Sequence, residues 1–154
     1  MAQEIERKFL LKNENWKKEV SSQSSIKQGY LNSNPERTVR IRIRNNQGFL
    51  TIKSKNKGAV RNEFEYEIPL EEAEELILLC EQPVIEKIRY LVPKNNHIWE
   101  IDIFEGANQG LEVAEIELSH VNESFELPSW VDKDVTHETK YYNSQLIKMP
   151  FTAW

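Results

Sequence analysis

Apolar and charged residues alternate one by one over much of this chain, and the alternation starts at once. Over 3–11, Glu4, Glu6 and Lys8 fall on one face of an extended segment, and Ile5, Phe9 and Leu11 fall on the other. The same period of two predicts strands over 26–31, 38–44, 49–54, 61–68, 84–92, 97–104 and 111–118. The segment 38–44 is the most regular, with Arg40, Arg42 and Arg44 against Val39, Ile41 and Ile43. Asn45, Asn46, Gln47 and Gly48 tolerate the positive φ of a tight turn, so 49–54 should return antiparallel to it. Helical spacing predicts a helix over 71–80, with Cys80 in register with Ala73, Leu76 and Ile77. Shorter helices are expected over 13–20, 122–127 and 138–148, and a loop over 21–25.

About eight such strands form either an open sheet with one wet face or a closed barrel with a polar lumen. Two features favour closure. A ring leaves no unpaired edge, and the cations and carboxylates occupy separate strand segments, as sites for two different ligands would. The expected class is therefore α+β and mainly antiparallel β, with a few short helices outside an eight-stranded barrel, in a single domain spanning 1–154.

Composition narrows the chemistry. Hydrophobic residues make up 39% of the 154 and charged residues 29%, with a net charge of −5, which excludes an apolar span and argues against broad nucleic-acid binding. The charged start lacks the apolar stretch of a leader, so a cytoplasmic protein is expected. One cysteine allows no internal disulfide, and Cys80 reads as packing. His97, His120 and His137 share no metal-ligand spacing, and no glycine-rich phosphate loop is present.

The charged faces carry the functional signal. Arg40, Arg42, Lys53, Arg61, Lys87 and Arg89 on one lining would repel one another unless an anion of high charge density sat among them, and a phosphate chain is such an anion. Glu4, Glu6, Asp102, Glu115 and Glu117 are hard oxygen donors of the kind that bind Mg²⁺ or Mn²⁺. The alternative is a set of cross-strand salt bridges on a solvated face, each worth little.

These residues, in this order, resemble the CYTH or triphosphate tunnel metalloenzyme superfamily. The likeness spans nearly the whole chain: ExExK at Glu4, Glu6 and Lys8, then IKQGYL with Tyr30, RIRIR, LTIK, RNEFEYEI with Arg61, Glu63 and Glu65, EKIRY, WEIDIF with Glu100 and Asp102, and AEIEL with Glu115 and Glu117. The resemblance implies a tunnel in which Lys8, Arg40, Arg42, Lys53, Arg61, Lys87, Arg89 and Lys140 bind a triphosphate. Glu4, Glu6, Glu63, Glu65, Glu100, Asp102, Glu115 and Glu117 would hold divalent metal, with Lys8, Tyr30, Glu115 and Glu117 nearest the chemistry. Tyr30 is expected to hydrogen-bond Lys8 or the phosphate. One departure is THETKYYN, where the family often carries a Lys-Arg-Tyr run. The activity implied is metal-dependent hydrolysis of a triphosphate, inorganic tripolyphosphate first. A class IV adenylate cyclase and a non-catalytic phosphate-binding module are the alternatives. A small-molecule triphosphate is the expected partner, with no membrane and room for a homodimer.

Overall fold

Alternation at period two makes a wall with one charged and one apolar face, and long-range pairing rolls that wall into a ring. The computed structural model describes residues 3–154. Its strands are β1 (Gln3–Leu11), β2 (Ser22–Asn32), β3 (Arg37–Arg44), β4 (Gln47–Ser54), β5 (Val60–Ile68), β6 (Ile85–Lys94), β7 (His97–Phe104), β8 (Glu112–Glu117) and β9 (Val131–Asp134). The helices are α1 (Leu70–Leu79) and the single turn α2 (Asn143–Leu146). Around the ring the order is β5, β4, β3, β2, β6, β7, β8, β1, with every pair antiparallel. β1 returns to β5 through Gln3–Asn62, Glu4–Arg61 and Ile5–Val60, which closes an eight-stranded barrel. Only the start of β1 reaches β5. Farther along, the same side of β1 takes β9 through Phe9–Asp134 and Leu11–Val131, so its backbone groups stay paired.

Several local expectations are corrected. The strand β9, with the sequence VDKD, is too short and too polar to announce itself by alternation. The expected loop over 21–25 is mostly strand, because Ser22 and Ser24 pair with Leu91 and Arg89 of β6. Segment 122–127 is not helical. As a turn at Asn122 followed by irregular chain it delivers Phe125 against Phe9 and Trp99, and a helix is not needed to bury that one ring. The helix over 13–20 contracts to a 3₁₀ turn, Asn15–Glu19, that buries Trp16 against Tyr90. The segment 138–148 breaks into a 3₁₀ turn at Thr139–Tyr141 followed by α2.

The apolar faces point outward into two packing layers and are not the lumen. Ile5, Phe9, Trp99, Ile101, Ala114 and Ile116 on β1, β7 and β8 pack beneath Trp16 and Trp130. On the other side α1 lays Ala73, Ile77 and the adjoining Cys80 over Ile41 of β3. Gly29 and Gly48 let α1 come this close, since a Cβ at either would stand 2.6 Å from the Cβ of Cys80 or Ala73. Burial pushes the Cys80 thiol up to about 11, which suits a packing residue.

A third cluster lies inside. Leu10, Tyr30, Ile85, Phe104 and Val113 follow the inward-facing charged residues at two-residue steps and pack against Val135, Tyr141, Leu146 and Ile147. The C-terminal segment thus fills one end of the barrel with apolar side chains and leaves the charged stretch of the lumen above it. Among the described residues no helix is long and apolar enough to cross a membrane.

Candidate active site

The register of the ring decides which charges meet. Inward residues of neighbouring strands stand opposite one another as Lys8–Glu115, Glu100–Glu115, Arg89–Asp102, Lys53–Glu63 and Glu4–Arg61. All of these but the buried Asp102 line one cavity, together with Glu6, Tyr30, Arg40, Arg42, Lys87 and Glu117.

The basic wall is held by hydrogen bonds that leave donors free. Arg40 Nη2 donates to Thr51 Oγ1 at 3.2 Å and Glu65 Oε2 at 3.4 Å. Lys53 Nζ lies 2.7 Å from Glu4 Oε2 and 3.3 Å from Glu63 Oε2. Lys8 Nζ donates to the carbonyl of Tyr141 at 3.0 Å, so the expected bond to Tyr30 is not made in this state, although Tyr30 lines the cavity. Burial and the neighbouring Arg40 and Arg89 push Arg42 down to about 9. Lys87 is pushed down to about 7, chiefly by burial, which outweighs its ion pair with Asp102. This crowding of like charge in a buried place is the electrostatic mark of an anion site.

The acidic side contains a cluster and several pairs. Glu6, Glu100 and Glu115 each present a carboxylate oxygen, and the three oxygens lie within 4.8 Å of one another. Burial and the charges of Glu115 and Glu4 hold the Glu6 carboxyl well above the usual range. Burial alone would also raise Glu115, but Lys8, a hydrogen bond from Glu6, Arg89 and Lys87 keep it well below. Glu6 therefore favours its neutral form, at the spot where a divalent cation would displace the proton. Three hard oxygens this close together fit a hard divalent cation.

Asp102 is corrected. It is fully buried, and both of its oxygens are occupied, Oδ1 by Arg89 Nε at 2.8 Å and Oδ2 by Arg89 Nη2 at 2.9 Å and Lys87 Nζ at 2.7 Å. Burial would raise its carboxyl, but Arg89 and Lys87 hold it down at about 2. It is the fixed counter-charge of two cations, with no lone pair pointed at the lumen, and Glu100 takes its expected place in the carboxylate cluster. Glu4 lines the cavity, yet its carboxylate faces Lys53 and Arg61, which keep it well below the usual range against the effect of burial. Glu63 and Glu65 pair with Lys53 and Arg40. Glu117 lines the cavity from a more exposed position. Lys140 is corrected as well: it is exposed, its Nζ stacks 4.5 Å from the Trp154 ring, and it does not line the cavity.

Other residues of the site were missed. Gln28 had a signal, since it shares a strand face with Tyr30; it lies behind the lining, where Arg42 Nε donates to its Oε1 at 2.7 Å. Thr136, Tyr142, Asn143 and Ser144 had none, because they reach the lumen only through the C-terminal fill of the barrel.

A closed antiparallel barrel whose lumen gathers cations around a cluster of three carboxylates has the make-up of a site for a small polyanion. The chain belongs to the CYTH domain family, which matches residues 2–150. It is 42% identical to the inorganic triphosphatase of Acetivibrio thermocellus, over 98% of this chain and 97% of that protein. It is 32% identical to the inorganic triphosphatase of Nitrosomonas europaea, over 93% and 95%. A solved structure, that of the inorganic triphosphatase NE1496, superposes with a TM-score of 0.66 at 29% identity, covering 96% of this chain and 95% of that one.

Proposed function

We propose that this protein hydrolyses inorganic tripolyphosphate with the help of Mg²⁺ or Mn²⁺. The observation that carries the reading is the single cavity in which Arg40, Arg42, Lys53, Lys87 and Arg89 face the cluster of Glu6, Glu100 and Glu115. The names of the similar proteins support the same substrate.

The residues divide the work. Arg40, Arg42 and Arg89 have guanidinium donors to spare, and with Lys8 and Lys53 they clamp phosphoryl oxygens and neutralise the charge that develops as the terminal bond breaks. Asp102 keeps Arg89 in one orientation, so that part of the clamp is preorganised. Glu6, Glu100 and Glu115 would hold the cation, which supplies charge neutralisation and a water of lowered pKa. The ring of strands and the apolar fill at one end limit bulk water around the reacting phosphorus, where electrostatic interactions are then stronger.

Phosphate release from tripolyphosphate, pyrophosphate, ATP and thiamine triphosphate, with Mg²⁺ and with Mn²⁺, tests the proposal. Tripolyphosphate should be turned over fastest, and equal or faster turnover of ATP would overturn it. The cyclase alternative uses the same clamp and is read from the ATP and Mn²⁺ arm as cyclic AMP.

A pH dependence follows from Lys87. Pushed down to about 7 in the empty site, its ammonium is nearly complete at pH 6 and is lost as pH rises through 7. The advantage of the unaltered protein over Lys87→Met in binding tripolyphosphate should therefore be largest near pH 6 and shrink toward pH 9. Comparing the two proteins at each pH cancels the titration of the substrate itself. A difference that is constant or grows with pH would refute the assignment.

A further inference from the structure

The polar atoms around Lys87 dictate one another's orientation. Arg42 Nε can only donate, so Gln28 must turn Oε1 toward it, at 2.7 Å, and this leaves Gln28 Nε2 facing Asn143 at 3.3 Å. Asn143 must then offer Oδ1, and the same oxygen also receives Lys87 Nζ at 3.1 Å. As an ammonium, the form held beside Asp102, Lys87 cannot accept either, so both partners of Asn143 force the same choice. A planar carboxamide whose oxygen is occupied by two donors has only its NH₂ group left. Asn143 lines the cavity, and among the described residues nothing accepts from its Nδ2.

We propose that Asn143 contacts the substrate, donating through Nδ2 to a phosphoryl oxygen that Lys87 and Arg42 also hold. Phosphoryl oxygens only accept, and a neutral donor between two cations adds a directed hydrogen bond without adding to the repulsion in the empty site. Gln28 is the positioning residue of this arrangement. It cannot reach the cavity with both of its ends committed, and its role is to fix the Arg42 plane and the Asn143 flip together. The inference rests on the proposed function, because it assumes that the anion in this cavity is a phosphate chain.

The test uses Asn143→Ala and Asn143→Asp, with melting temperature confirming that each folds. Tripolyphosphate binding is measured by titration calorimetry in EDTA, where no metal-dependent turnover runs. The alanine removes the donor, and a loss of about tenfold in affinity is expected for one charge-assisted hydrogen bond. The aspartate is nearly isosteric but turns a carboxylate oxygen to the lumen, so its loss should be larger, about a hundredfold. In steady-state assays with Mg²⁺ the same order should appear mainly in KM. Binding by both variants as tight as in the unaltered protein would overturn the assignment. So would equal losses in the two, since the side chain would then serve only to hold Lys87 and Gln28. If aspartate does not fold, Asn143→Ala carries the first of these outcomes alone. An unaltered protein that binds no tripolyphosphate would overturn the proposed function, and this inference with it.

Discussion

Glu6→Gln should leave the metal-free protein as stable as the parent while removing its divalent-dependent turnover. The reason lies in the state of the carboxyl: burial, Glu115 and Glu4 push Glu6 well above the usual carboxylate range, so it favours the neutral form when no cation is present. Glutamine reproduces that neutral donor at almost the same volume, so the empty lumen should not register the change. The cation site does register it, because one of three converging carboxylates becomes a neutral amide. Metal-ion stabilisation of a phosphoryl transition state is worth several kcal/mol, and each 1.4 kcal/mol or so is tenfold in rate. A loss of about a thousandfold in tripolyphosphate hydrolysis is therefore expected. The melting temperature in EDTA should stay within about 2 °C of the parent, because neutral isosteric changes away from strained sites cost little. Parent-like rates at saturating Mg²⁺ would contradict the carboxylate cluster, and a collapse of the melting temperature in EDTA would contradict a neutral Glu6.

The second large effect is on folding. Asp102→Asn should cost about 3–5 kcal/mol of stability, because it leaves Lys87 and Arg89 buried without their counter-charge. Urea unfolding in EDTA, without substrate, measures it. The sign separates two roles for this residue. Were Asp102 a metal ligand in a crowd of carboxylates, removing its charge would relieve repulsion and raise metal-free stability. The observed ion pairs require a fall.

Much of this site was legible along the chain, and the residues show where legibility stopped. The inward faces of β1, β3, β6 and β8 could be read from period two alone, since a strand turns successive side chains to opposite sides whatever surrounds it. Lys8, Arg40, Arg42, Lys87, Arg89 and Glu115 were placed in this way, and all six line the cavity. The α1 helix could be read from its 3.6-residue spacing, with Ala73, Ile77 and Cys80 facing inward. Lys140 was misplaced because its position depends on where the last turns of the chain come to rest, and there its ammonium lies over Trp154, outside the barrel.

Glu100 and Asp102 show the division most clearly. They are two residues apart on the same inward face of β7, both acidic, and nothing local distinguishes them. The register with neighbouring strands does: Asp102 stands opposite Arg89 of β6, whereas Glu100 stands opposite Glu115 of β8. One became a buried counter-charge, and the other a member of the carboxylate cluster. Asn143 is a stronger case, since it enters the lumen only because Leu146 and Ile147 fill the barrel's end. The sequence by itself determined which side chains face inward and what charge they carry, because alternation and composition are local properties. The tertiary structure alone decided which of those charges meet, because strand register, ring closure and the seating of the last turns depend on contacts between residues far apart in the chain.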